Sequence, residues 1–162
     1  MALQPYSVSK GLQTGAVAGV VGSLVQGILG YLLAQSVGQE IFFVKIATNL
    51  GMGNSSVVGG WALHILTGLI VGAIFVSATL KIDLFHLGTT GKAVWIGALA
   101  GIAVWVVLLL PATAIFLPGD LGASDFLVGS LIFHVIFGVV TAIAAYMLLR
   151  RVIQKDVPAK AA

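Results

Sequence analysis

Four apolar runs, Gly11 to Ala34, Val57 to Leu80, Ala93 to Leu117 and Leu127 to Leu149, hold no acidic or basic side chain. Each is long enough to cross a hydrocarbon core, which takes roughly 20 residues of helix. Lipid offers no water to unpaired backbone groups, so only helices or closed barrels can span it. A barrel needs short alternating segments, which this chain lacks. The expected fold is all-α, with four transmembrane helices in a single domain over residues 1–162. Composition points the same way: 59% hydrophobic and 8% charged residues lie outside the range of soluble domains. The first run ends near Leu33-Ala34-Gln35-Ser36, which loosely resembles a signal-cleavage site. Its apolar stretch exceeds the about 7 to 15 residues of a signal core, so it is read as a retained span. Cysteine is absent, which removes disulfides, thiolate metal sites and a cysteine nucleophile.

Charge placement gives the orientation. Lys10, Lys81, Lys92, Arg150, Arg151, Lys155 and Lys160 fall on one side of the four spans. Lys45 is alone among basic residues on the other, with Glu40, Asp120 and Asp125. Positive flanks stay cytoplasmic, so both termini are expected inside. The basic tail, 150–162, is expected to lie against anionic headgroups. The net charge of +3 is thereby accounted for by topology, and nucleic acid is not expected as a partner.

An ungapped similarity links the two halves. Val58-Gly59-Gly60-Trp61-Ala62-Leu63-His64 with Gly68 and Gly72 matches Val128-Gly129-Ser130-Leu131-Ile132-Phe133-His134 with Gly138 and Ala142. Gly15-Ala16-Val17-Ala18-Gly19 likewise matches Gly97-Ala98-Leu99-Ala100-Gly101. The repeating unit is thus a helical hairpin, about 11–80 and 93–149. An even number of spans per repeat predicts a pseudo-twofold axis along the membrane normal. Residues 40–47 suit a short interfacial helix between the first two spans. Asn54, Ser55 and Ser56 are candidate caps for the second span, and Ser124 and Asp125 for the fourth. Both histidines then fall roughly 12 to 15 Å below the outer surface.

An intramembrane ionisable group is a candidate site. Gly60, Gly68 and Gly72 share a face with His64, and Gly138 shares one with His134, at a spacing that lets helices approach closely. Gly15, Gly19 and Gln26 form a further packing stripe, with Gln26 at the depth of His64. Pro111 is expected to kink the third span and free a carbonyl near Val107. The favoured reading gives His64 and His134 interhelical hydrogen bonds to Gln26, to each other, to Thr113 or to that carbonyl. The protein is then a non-catalytic or accessory subunit of a larger membrane assembly, a redox or respiratory complex among those that fit, without a cofactor. The alternative makes His64 and His134 axial ligands to one haem b between the second and fourth helices. A third reading is an oligomeric small-solute transporter or channel. Two imidazoles are too few for a protein-only metal site, and no span pairs a serine with histidine and carboxylate, so no enzyme is expected. The expected partners are the bilayer and other membrane subunits or further copies of the chain.

The segment Lys45-Ile46-Ala47-Thr48-Asn49-Leu50-Gly51-Met52-Gly53, followed by Gly59-Gly60-Trp61-Ala62-Leu63-His64, Gly68 and Gly72, resembles prokaryotic four-span membrane proteins of uncharacterised function. Their second and fourth helices likewise carry an embedded histidine followed by spaced glycines. The resemblance implies the four-helix fold and a prokaryotic cytoplasmic membrane. It implies no activity.

Overall fold

The computed structural model describes residues 8–156. The chain rises through α1 (Val8–Ser36), turns through the short helix α2 (Phe42–Asn49) and descends in α3 (Ser56–Lys81). After a brief loop it rises again in α4 (Thr90–Val104). One π-helical turn, Trp105–Leu109, carries α4 into α5 (Leu110–Phe116), and α6 (Ser124–Asp156) returns. No strand occurs among the described residues. Four helical stretches are long and apolar enough to cross a membrane: Val8–Ser36, Gly53–Lys81, Thr90–Phe116 and Ser124–Arg150. Each outruns the charge-free run by a few residues, because helices continue into their polar flanks. α6 extends past the predicted end of its span to Asp156, so the basic tail begins as helix. Its remainder after Asp156 lies outside the described residues.

Glycines decide how the hairpins close. Gly72 lies against Gly15 and Gly19, and Gly68 against Gly19 and Ser23, so α1 and α3 meet backbone to backbone. In the second hairpin Gly138 lies against Gly97 and Gly101, while the carbonyl of His134 faces Gly101. The packed counterpart of Gly72 is therefore Gly138, one helical turn away from the pairing that the repeated sequence predicts. Ala142 stands where the first hairpin has Gly72, and its Cβ holds the helices apart there, so the crossing moves to the nearest glycine. His64 is two turns from its crossing and His134 one turn from its own. The two histidines do not occupy equivalent places.

The third span takes Pro111 differently from the predicted simple kink. A wide turn precedes it, in which the Leu110 N–H donates to the Trp105 carbonyl. Pro111 then sits at the start of α5, where a missing N–H costs little. Caps also differ from expectation. Ser55 precedes α3 without a side-chain cap bond, and the Ser56 hydroxyl donates back to the Gly53 carbonyl at 2.7 Å. α4 does carry a side-chain cap, Thr89 accepting from the Lys92 N–H at 3.1 Å.

α1 lies between α3 and α6, and α4 packs on the far side of α6. α3 and α6 barely touch. At the end where α1 begins and α6 finishes, small side chains let the helices converge on a core of Ala18, Val76, Ala93, Ala142, Ala145 and Leu149. Toward α2 the bundle splays.

Where α1 meets α6, Gly22 faces the Thr141 side chain. The Thr141 hydroxyl is buried and has no hydrogen-bond partner among the described residues. Leaving a buried hydroxyl unpaired costs about 1–3 kcal/mol, and valine keeps its shape. Thr141→Val is therefore expected to raise stability by about 1 kcal/mol in detergent unfolding. A loss of that size would show the hydroxyl to be bonded after all.

Candidate functional site

The splayed end holds a half-open cavity of about 650 Å³. Its walls are α1 at Ser23, Gln26 and Gly27, α3 at His64 and Thr67, the third span at Leu108 and Ala112, and α6 from Phe126 to Phe137. α2 roofs it. That helix is held by Phe43, Val44 and Ala47, which are buried, and Gly60 lets it settle on α3 by lying against Phe43 and Val44. Gly60 thus serves the roof rather than a contact between long helices. Gly38 and Gly51, on either side of α2, have φ of 67° and 81°, a left-handed backbone that favours glycine. The roof is tied to the second hairpin by the Lys45–Asp120 ion pair at 3.2 Å and by the Asn49 amide donating to the Phe116 carbonyl at 2.7 Å. Phe42 packs on Phe126 with ring centroids 5.7 Å apart.

Both histidines line this cavity. His64 reaches across to α1, where its Nε2 lies 2.9 Å from the Ser23 carbonyl. A carbonyl only accepts, so Nε2 donates, and a neutral ring then carries its lone pair on Nδ1. Phe43 stacks on the imidazole at 4.5 Å, and Trp61 stands edge-on to both rings. Gly27 makes room for this cluster: a Cβ there would lie 2.7 Å from the Trp61 ring. His134 bonds within its own helix, Nδ1 donating to the Ser130 carbonyl at 2.7 Å. Its Nε2 keeps a lone pair and has no partner among the described residues. The Ser130 hydroxyl accepts from Trp105 Nε1 at 2.9 Å, which ties α6 to the π-helical turn. Such turns recur at functional sites.

None of the four bonding partners expected for the histidines is used. Thr113 is buried and donates to the Leu109 carbonyl, and the carbonyls that do serve are those of Ser23 and Ser130. Gln26 lines the cavity and has no hydrogen bond to any described residue. Gly15, Gly19, Gly68, Gly72 and Gly138 lie at the helix crossings described above.

Sequence reasoning missed the Phe43 stack, the Trp105–Ser130 bond and the concentration of aromatic rings. Phe42, Phe43, Phe116, Phe126, Phe133 and Phe137 all line the cavity, six of the eight phenylalanines in the chain. On α6 the spacing of Phe126, Phe133 and Phe137 gives a helical stripe that could have been read beforehand. Charged groups lie only around the roof: Glu40, Lys45 and Asp125.

Family models, curated proteins and solved structures provide no match to this chain. What stands of the resemblance to prokaryotic membrane proteins is the four-span architecture. The chain is a small integral membrane protein.

Proposed function

We propose that this protein is a non-catalytic subunit that holds one small lipophilic molecule in the cavity beneath α2, within a larger membrane assembly. The observation that carries this reading is the cavity itself. A volume of about 650 Å³ lies within the range of about 300–1,000 Å³ common for small-molecule sites. Its lining follows the same pattern, mostly apolar and aromatic with a few polar groups set to orient a ligand. The polar groups are read as orienting rather than catalytic. The Ser23 and Ser130 hydroxyls donate to the Val20 and Leu127 carbonyls, so neither is poised on an imidazole as a nucleophile. No group of three His, Cys, Asp or Glu that would hold a metal occurs among the described residues.

The test is native mass spectrometry of the protein released from its own membrane in lipid nanodiscs. The expected spectrum shows one small molecule retained per chain. A bare chain that also fails to take up added lipophilic compounds would defeat the proposal.

His134 favours a second reading, with haem b in the same cavity. An imidazole whose Nδ1 is held by a carbonyl is the arrangement that presents Nε2 to a metal. Two features weigh against it. His64 uses Nε2 on the Ser23 carbonyl, and the roof sets Glu40, Asp120 and Asp125 against Lys45 alone, which suits anionic propionates poorly. A Soret band that disappears in His134→Ala would decide for haem.

A further inference from the structure

We infer that the molecule held beneath α2 carries a quinol-type head: a flat ring with one oxygen that donates a hydrogen bond and another that accepts one. This rests on the lipophilic-ligand reading and adds the chemistry of the head. The ring follows from the walls. Six phenylalanines around one space, together with the His64–Phe43 stack at 4.5 Å, present faces and edges that a planar π-system complements. The oxygens follow from the polar groups left over once the protein has bonded itself. Ser23, Thr67, Ser130 and Trp105 have their hydrogen bonds within the fold. Gln26 keeps a whole amide for the cavity, two N–H donors and an acceptor oxygen. His64 keeps Nδ1 as an acceptor, on a ring already fixed between the Ser23 carbonyl and Phe43. His134 keeps Nε2, which can only accept while Nδ1 donates to the Ser130 carbonyl, and pairs with the Gln26 N–H as the acceptor and donor offered from facing helices.

These two groups fall at one level. Gly22 on α1 lies against Phe137 on α6, and the helices run in opposite directions. One turn toward α2, Gln26 therefore comes level with Phe133 and His134. A hydroxyl donating to His134 Nε2 and a second oxygen accepting from Gln26 satisfy both. A fully oxidised quinone has acceptors alone and satisfies only Gln26. The acidic groups at the roof disfavour an anionic head, and a neutral quinol meets that condition.

The experiment uses the full chain in lipid nanodiscs. It is titrated with a decyl-substituted benzoquinone and, without oxygen, with the matching quinol. Binding is read by quenching of the tryptophans, since Trp61 packs on His64 and Trp105 bonds to Ser130. The quinol is expected to bind about fivefold more tightly than the quinone, the effect of one buried hydrogen bond. Gln26→Leu is expected to weaken both forms, and His134→Phe to weaken the quinol alone and erase the preference. His134 bonds only within its own helix, so an unchanged thermal midpoint shows that His134→Phe is still folded. Equal affinity for the two forms, or a preference that survives His134→Phe, overturns the assignment. A hydrocarbon dye that binds saturably and is displaced by neither form overturns the head chemistry and leaves the lipophilic-ligand reading standing. No saturable binding by any of the three overturns both.

Discussion

Gly72→Ala is expected to destabilise the protein by about 3 kcal/mol or more, at the upper end of what overpacking costs. A methyl at Gly72 would meet the Gly15 carbonyl oxygen and lie 2.6 Å from the Gly19 Cα and 2.8 Å from its nitrogen. All three are backbone atoms, so no side chain can swing away. The helices must separate, and in lipid the packing lost has no hydrophobic compensation, because acyl chains are as apolar as the helix surfaces. The control is Gly91→Ala in the first turn of α4, where nothing lies within 4 Å. That change is expected to be neutral or to stabilise by up to about 1 kcal/mol, the helix preference of alanine over glycine. Denaturant unfolding in mixed micelles measures both. Equal effects at the two positions would show that the α1–α3 crossing is not as close as described.

Gly129→Trp carries the second large effect, on binding rather than folding. Gly129 belongs to the α6 stripe that lines the cavity with Phe126, Ser130, Phe133 and Phe137, and a Cβ there meets nothing within 4 Å. An indole built on that Cβ is expected to turn into the cavity. Affinity for the bound molecule is expected to fall at least about a hundredfold, equivalent to roughly 2.7 kcal/mol. The thermal midpoint of the ligand-free protein is expected to hold or rise, since the ring buries apolar surface in an existing void. Ligand retained at full stoichiometry would place the binding site elsewhere.

The four helices were legible because a charge inside a span is costly, and the chain keeps charges out of four stretches of spanning length. The glycines of the first crossing were legible from their four-residue spacing. The slip of the second hairpin was not, because it turns on a single methyl at Ala142 set against a glycine one turn away. The partners of the histidines were hidden for a different reason. Each bonds a backbone carbonyl, and every residue carries one, so sequence cannot single out Ser23 or Ser130. The stack of Phe43 on His64 joins α2 to α3 across a turn whose path depends on Gly51 and Gly53. Pro111 marked a break in the third span. That the break takes the form of a widened turn tying Trp105 to Ser130 depends on how α6 packs beside it.

A lipophilic molecule is proposed to sit between the two hairpins rather than on their outer surface. Photolabelling tests it most directly, with a diazirine-bearing lipophilic probe activated in the membrane and mapped by peptide mass spectrometry. Lipid-facing positions such as Val58, Ile74 and Ile115, which are 74%, 64% and 71% exposed, should label in proportion to probe concentration without limit. Phe133, His134 and Gln26 should label to saturation, lose that labelling when unlabelled compound is added, and lose it in Gly129→Trp. Labelling confined to the outward positions, with no saturable component on the inward ones, would contradict the account.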